Sequence, residues 1–344
     1  MKTIVFACGG TLGHINPAIA MANYLNEKYN IIFFSTTKEY KNNTYKELSF
    51  KVYYFNAFGF NRKNLISNFK ILKENKRTKR EIKKILINQN VDLVVSMGGS
   101  IGTLVVSEAI KLKIKTIIHE QNAIMGLGNK LVYKRVNKVL LTYPIKNIKN
   151  SLVVGNPLKF NDTIKNESED ILLVFGGSIG SKVINDFFIN NYQKIKLNKR
   201  IVLIVGSKYY NENLKKIKEV ESNYFKILEK TDEMEKYYKK AYIVISRSGA
   251  TTLGEIMDYQ KIAIVIPSPN VSNNHQYHNA YYFYKKNCLK MINEKDLNIE
   301  RINELLEILD NKNQREMIKK EITKNNINNK KELFKNEIDK ILGD

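Results

Sequence analysis

Cysteine is nearly absent from this chain. Its 344 residues include two, Cys8 and Cys288, far apart and each inside an apolar stretch. That argues against a disulfide framework or a thiolate metal site and fits a reducing compartment. Long hydrophobic runs are missing too: no stretch approaches the roughly 18 apolar residues of a membrane-spanning helix, so any membrane contact is expected to be peripheral. The apolar segment before Cys8 is about five residues, too short for the hydrophobic region of a signal peptide, and reads as a strand. Acidic residues are few, 34 against 57 lysines and arginines, for a formal net charge of +23. Such an excess points to an anionic partner, nucleic acid or phospholipid, or reflects a Lys/Asn/Ile-rich composition; its sign does not choose. Histidine is limited to His14, His119, His275 and His278, all in loop-like motif segments. With no His-x-x-x-His or His-Glu-x-x-His spacing and no acidic cluster, no metal site is expected.

What is present is ordinary for a folded protein, 43% hydrophobic and 26% charged. The length exceeds one usual core, so two domains of about 150 residues are expected. Short β-branched or apolar runs alternate with helical patterns, the mark of βαβ units around a parallel sheet. Strands are expected at Thr3–Ala7, Ile31–Ser35, Lys51–Phe55, Asp92–Ser96, Lys115–His119 and Lys138–Thr142. The pattern restarts at Ile171–Phe175, then Ile201–Val205, Phe225–Leu228, Tyr242–Ser246, Ile262–Ile266 and Cys288–Ile292. Gly155-Asn156-Pro157 suits a linker start, which divides the chain into domains at 1–158 and 159–325 and a helical tail at 326–344. No solenoid-length repeat interrupts this α/β reading.

Glycine loops follow several strands: Gly9-Gly10, Gly98-Gly99, Gly176-Gly177 and Ser246-Arg247-Ser248-Gly249-Ala250. The first opens onto a helix expected from Ala18 to Leu25, which is either a tight turn or an anion-binding helix N-terminus. Two common nucleotide motifs are excluded by spacing. The first loop is not G-x-G-x-x-G, and no acidic residue ends the second strand to meet a dinucleotide ribose. The Gly176 to Lys182 segment is not a P-loop. Ligands of open α/β sheets bind beyond the carboxyl ends of strands, so if the two sheets face each other these loops line one cleft. Diphosphate could be held by Ser178 and by amides after Gly249, while Glu255 could accept ribose hydroxyls or be a surface glutamate. His14 could be a general base, since imidazole titrates near neutrality, or could cap its helix.

Five segments carry a resemblance that spans nearly the whole chain: Gly9 to His14 with Pro17-Ala18; His119-Glu120-Gln121-Asn122 with Gly126 to Lys130; Val154 to Pro157; Gly176-Gly177-Ser178 with Asn185; and Ser246 to Ala250 with Glu255, His275-Gln276-Tyr277 and Asn279. Their order and spacing resemble the MurG family, which transfers N-acetylglucosamine from UDP-N-acetylglucosamine to undecaprenyl-pyrophosphoryl-N-acetylmuramoyl pentapeptide. The resemblance implies a GT-B architecture, two Rossmann-like domains facing across a cleft, with acceptor on the first and donor mainly on the second. It implies an inverting attack of the acceptor 4-hydroxyl on the anomeric carbon, with no cofactor and no metal, the leaving charge being met by loop amides. Catalysis would fall to His14 and Glu120. The donor would meet Thr231, Glu255, Ser178, Ala250, Thr251, Thr252, Gln276 and Asn122, with Arg247 and Thr11 in the same set. Gly13, Gly98, Gly99, Ser100 and Lys159 would lie on the acceptor side. Leu12, Ser100, Lys159 and Ile179 depart from the family pattern, so acceptor handling and diphosphate contacts are expected to differ there. A different lipid acceptor or a UDP-sugar epimerase on the same scaffold are the alternative activities.

From Asn61 to Lys84 ten lysines and arginines face only Glu74 and Glu81, interleaved with Leu65, Ile66, Phe69, Ile71 and Leu72. The mixture suits shallow insertion into an anionic membrane surface, or a solvated helix packing its apolar face on the core. Nucleic acid would use similar charges, but no nucleic-acid motif accompanies them and none is expected as partner. With the lipid-linked acceptor implied above, Phe58, Phe60, Arg62, Lys63, Phe69, Lys76, Arg77, Lys79 and Arg80 are the expected membrane residues, and the cytoplasmic face of the cell membrane the expected location.

Overall fold

The structure is a computed structural model that describes all residues except 47, 60–66, 159–168, 178–179 and 344, and the backbone alone at Ser67. Lys159, Ser178, Phe60, Arg62 and Lys63, together with Leu65, Ile66 and Ile179, lie outside the described residues. The chain divides into two compact units, Met1–Lys159 with Ile327–Asp344, and Phe160–Asn326.

In the first unit the strands are β1 (Thr3–Ala7), β2 (Asn30–Thr36), β3 (Lys51–Phe55), β4 (Val91–Ser96), β5 (Lys115–Glu120), β6 (Lys138–Leu141) and β7 (Ser151–Val153). Among the described residues they form one parallel sheet in the order β3-β2-β1-β4-β5-β6-β7. Such a sheet is covered on both faces, so its central strands must be apolar without alternation. β1 is buried at every position, and its residues divide by parity. Ile4 and Phe6 join one apolar cluster with Phe33, Val95 and Ile117. Val5 and Ala7 join the other with Phe34, Val94 and Ile118. β7, a short, half-buried edge strand, was not among the expected strands; three residues carry too little apolar pattern to be read.

The terminal helix Lys330–Leu342 returns to this unit. Phe334 and Ile338, one turn apart and fully buried, enter the first of these clusters. Around them the Tyr29 hydroxyl donates to Asp339 at 2.6 Å and Lys138 pairs with Glu337 at 2.9 Å.

The second unit repeats the plan with β8 (Ile171–Phe175), β9 (Arg200–Ile204), β10 (Phe225–Leu228), β11 (Ala241–Ser246), β12 (Ala263–Val265) and β13 (Lys290–Met291). Its order among the described residues is β10-β9-β8-β11-β12-β13, again parallel. Each sheet therefore has a point where the strand order reverses, at β1/β4 and at β8/β11, and loops leaving the carboxyl ends there diverge to form a ligand crevice. All four glycine loops leave one of these four strands.

Candidate active site

At the β1/β4 point the register pairs Ala7 with Ser96, so Gly9-Gly10 and Gly98-Gly99 emerge side by side. They touch: a Cβ on Gly99 would stand 2.4 Å from the Gly9 carbonyl oxygen, and Gly99 has φ +81°. Only glycine satisfies both the sign of φ and the contact. The helix after the first loop begins at Leu12, earlier than expected, and runs to Leu25 with Pro17 inside. Thr11 is its N-terminal flanking residue, but its hydroxyl makes no capping bond and the residue is exposed. His14 is the third residue of that helix and not in a loop. Its Nδ1 lies 3.1 Å from the Gly9 carbonyl. A carbonyl only accepts, so Nδ1 carries the proton and Nε2 the lone pair. Nε2 faces Gly98, where an added Cβ would stand 3.0 Å away. Gly13 is half-buried beside it.

A buried carboxylate supports this loop from behind. Glu39, 3% exposed, accepts the Gly10 amide at 2.9 Å and the Thr36 hydroxyl. Sequence reasoning missed it, although Thr36-x-x-Glu39 has capping-box spacing before the short helix Thr37–Lys41. Ser100, on the acceptor-side set, donates to the carbonyl of Ala57 at 3.1 Å and thereby ties the second loop to the segment bearing Phe58.

Glu120 is held by the segment that follows it. Expected as a catalytic group, it is 2% exposed. One oxygen accepts from the amide and side chain of Asn122 at 3.1 and 3.2 Å. The other accepts from the Gly126 amide at 2.9 Å and Asn129 Nδ2 at 2.8 Å. Four donors fill the four lone-pair positions of a carboxylate, so Glu120 shapes the loop after β5 and orients Asn122. His119 is likewise structural: it lies in β5, fully buried, with Nε2 2.9 Å from the Gly155 carbonyl. Desolvation pushes its pKa down to about 4.

In the second unit the helix Ala250–Asp258 follows β11, and its flanking residue is Gly249, which offers no side-chain cap. The first-turn amides of Ala250, Thr251 and Thr252 are thus available to an anion, with the helix dipole adding attraction. Thr251 Oγ1 is buried without a hydrogen-bond partner among the described residues. Ser248 donates to the Gln276 carbonyl at 2.9 Å, and Gln276 Oε1 accepts the Ser268 amide at 2.9 Å. Thr231 accepts the Glu233 amide on its hydroxyl at 3.0 Å. Glu255 is half-buried and accepts the Tyr238 hydroxyl at 2.9 Å. Burial is the main cause that raises its pKa to about 7.

Arg247 is held by several loops of the second unit. Expected to meet the donor, its guanidinium is 7% exposed and already engaged. It donates to the carbonyls of Ile266 and Pro267 at 3.0 and 3.2 Å, to Ser181 Oγ at 2.8 Å, and pairs with Glu294. Ser181 caps the helix Lys182–Asn191 that follows the Gly176-Gly177 loop. One side chain therefore joins the loops that leave β8, β11, β12 and β13. Glu294 carried no signal in sequence, being one charged residue among many.

Two Rossmann-like units, each with glycine loops at its switch point, have the architecture of the GT-B class. Residues 4–141 match the glycosyltransferase family 28 N-terminal domain and residues 171–338 the family 28 C-terminal domain. UDP-N-acetylglucosamine--N-acetylmuramyl-(pentapeptide) pyrophosphoryl-undecaprenol N-acetylglucosamine transferase from Finegoldia magna is 33% identical over 331 residues, covering 88% of this chain and 89% of the relative. The transferase of the same name from Vesicomyosocius okutanii is 34% identical, covering 91% and 90%. The crystal structure of Acinetobacter baumannii MurG superposes with a TM-score of 0.80 at 22% identity, covering 99% of this chain and all of that one. The chain belongs to the MurG family of family 28 glycosyltransferases.

Proposed function

We propose that this chain transfers N-acetylglucosamine from UDP-N-acetylglucosamine to the 4-hydroxyl of lipid-linked N-acetylmuramoyl pentapeptide, a step of peptidoglycan synthesis. The observation that carries this reading is family membership over nearly the full length, with relatives that bear that activity in their names. The geometry of each unit supports a role for it. In the first, Nε2 of His14 takes the proton of the attacking hydroxyl as it forms its bond to the anomeric carbon; the hydrogen bond to Gly9 fixes the tautomer that can accept it. In the second, the amides of Ala250, Thr251 and Thr252 meet the charge that develops on the departing diphosphate, and Glu255 accepts ribose hydroxyls. Thr231 and Gln276 complete the donor side, and Gly13 stands with His14 on the acceptor side.

The acceptor's lipid calls for a membrane surface, and we assign it to the helix Ser67–Asn88. Ile82 and Leu86 are fully buried in the core, while Phe69 and Leu72, nearer the start of the helix, are 77% and 51% exposed. Asn75 holds the backbone of Phe58 through both of its side-chain atoms, and Phe58 stays 48% exposed. Lys76, Arg77 and Arg80 are exposed around them and Lys79 is half-buried, a composition that seats aromatic groups at the interface and cations on headgroups. Among the described residues no helix is long and apolar enough to cross a membrane.

Incubation with radiolabelled UDP-N-acetylglucosamine and a synthetic polyprenyl-pyrophosphoryl muramoyl-peptide tests the activity: labelled lipid and free UDP should appear together. UDP release without acceptor, or transfer from UDP-glucose in preference, would reject it.

A further inference from the structure

We propose that Tyr238 is a positioning residue for donor binding: its buried hydroxyl orients the carboxylate of Glu255 towards the ribose. The inference rests on the assignment of Glu255 to the ribose and deepens it. Tyr238 lies on the helix Met234–Lys240 and is fully buried. Its ring is fixed on two sides, stacked on Tyr259 at 5.0 Å with an interplanar angle of 4°, and edge-on to Phe175 of β8 at 6.0 Å. A ring so held leaves its hydroxyl one direction, towards Glu255 Oε2 at 2.9 Å. That hydrogen bond occupies one lone pair of Oε2 and leaves Oε1 without a partner among the described residues.

The arrangement matters because nothing else among the described residues favours the charge. The neighbouring ionisable groups are Tyr238 from its helix, Asp258 on the carboxylate's own helix, whose charge opposes ionisation, and Tyr259 just beyond it. Tyr259 bears on Tyr238 in turn. Tyr238 itself is held well above its ordinary pKa, first by burial and then by Glu255, so it remains a donor throughout the working range. Burial has already brought the Glu255 pKa to about 7, and the hydrogen bond from Tyr238 is the cause that lowers it. A protonated carboxyl keeps one acceptor position fewer and loses the charge-assisted character that makes its hydrogen bonds to hydroxyls strong.

Tyr238→Phe removes one oxygen and preserves the stacked ring. The test is the affinity for UDP, by calorimetry on the full chain between pH 5.5 and 8.5. The wild-type chain should lose affinity as pH falls through about 7. The variant should show that acid limb displaced upward by roughly half a unit to one unit, with several-fold weaker binding at pH 7 and an affinity that recovers at pH 8.5. KM for the UDP-sugar should rise with kcat little changed. A Tyr238→Phe limb that coincides with that of the wild type overturns the proposal. Glu255→Gln separates the two layers: if it leaves both affinity and limb intact, the ribose assignment itself fails, whereas loss of affinity together with the limb upholds that assignment whatever Tyr238→Phe does.

Discussion

Replacing Arg247 by methionine tests whether this residue holds loops or holds substrate. The side chain is almost fully buried and donates to four acceptors on three other segments of the second unit. Methionine fills similar space but leaves Glu294 and the carbonyls of Ile266 and Pro267 without their donor. Removing one partner of a buried ion pair costs about 3–5 kcal/mol. The Glu294 side chain is 18% exposed and can be partly rehydrated, which favours the low end, about 3 kcal/mol. Each orphaned carbonyl adds about 1 kcal/mol unless water reaches it. Lysine keeps the charge and the Glu294 pair but cannot match the forked geometry, so roughly half that cost is expected of Arg247→Lys. The assay is urea unfolding of the full chain followed by tyrosine fluorescence, where the transition of the second unit should move and that of the first should not. Titration with UDP of the folded variant completes it. If Arg247→Met keeps wild-type stability and loses UDP affinity, the guanidinium serves the ligand and the loop argument is refuted.

Three further predictions concern the first unit. His119 is buried with a pKa near 4 against 6.5 when unfolded, so the unfolded chain binds more protons between those values. Stability is therefore retained above about 6.5 and lost as pH falls towards 4, by up to about 3 kcal/mol; a pH series of unfolding midpoints should show His119→Gln flatter over that window. Gly99→Ala places a methyl group 2.4 Å from a backbone oxygen at a positive φ, and backbone cannot swing aside as a side chain can. A loss of at least ~2 kcal/mol in the first unit's thermal transition is expected, with transferase turnover down by about two orders of magnitude; an unchanged transition disproves the contact. Charge reversal at Lys76, Arg77, Lys79 and Arg80 should abolish sedimentation with anionic vesicles while leaving UDP affinity within about twofold; retained sedimentation removes the helix from the membrane assignment.

The sheets were legible in sequence because parallel strands are covered on both faces. A run such as Ile171–Phe175 must be apolar throughout, and a glycine-rich turn must follow wherever a ligand crevice opens. The doubled βαβ pattern gave two parallel sheets, while their strand order came from the structure, and the five motif segments named the family. His14 was placed beside the first glycine loop by its position in sequence, and the structure sets its ring against Gly9 and Gly98.

What only the tertiary structure decided was how polar side chains are used. Glu120 and Arg247 have the composition of active-site residues, and folding surrounds each with four hydrogen-bonding groups of the protein itself. Glu39, Tyr238 and Glu294 look like surface residues in sequence and become supports because folding brings Gly10, Glu255 and Arg247 against them. The terminal helix shows the same limit: its apolar stripe was visible, but only packing sends Phe334 and Ile338 to the first unit's core. Periodicity reports which face is buried; it does not report which polar groups a fold pairs, whether 2 to 9 residues apart as at Glu120 or 17 to 66 apart as at Glu255 and Arg247.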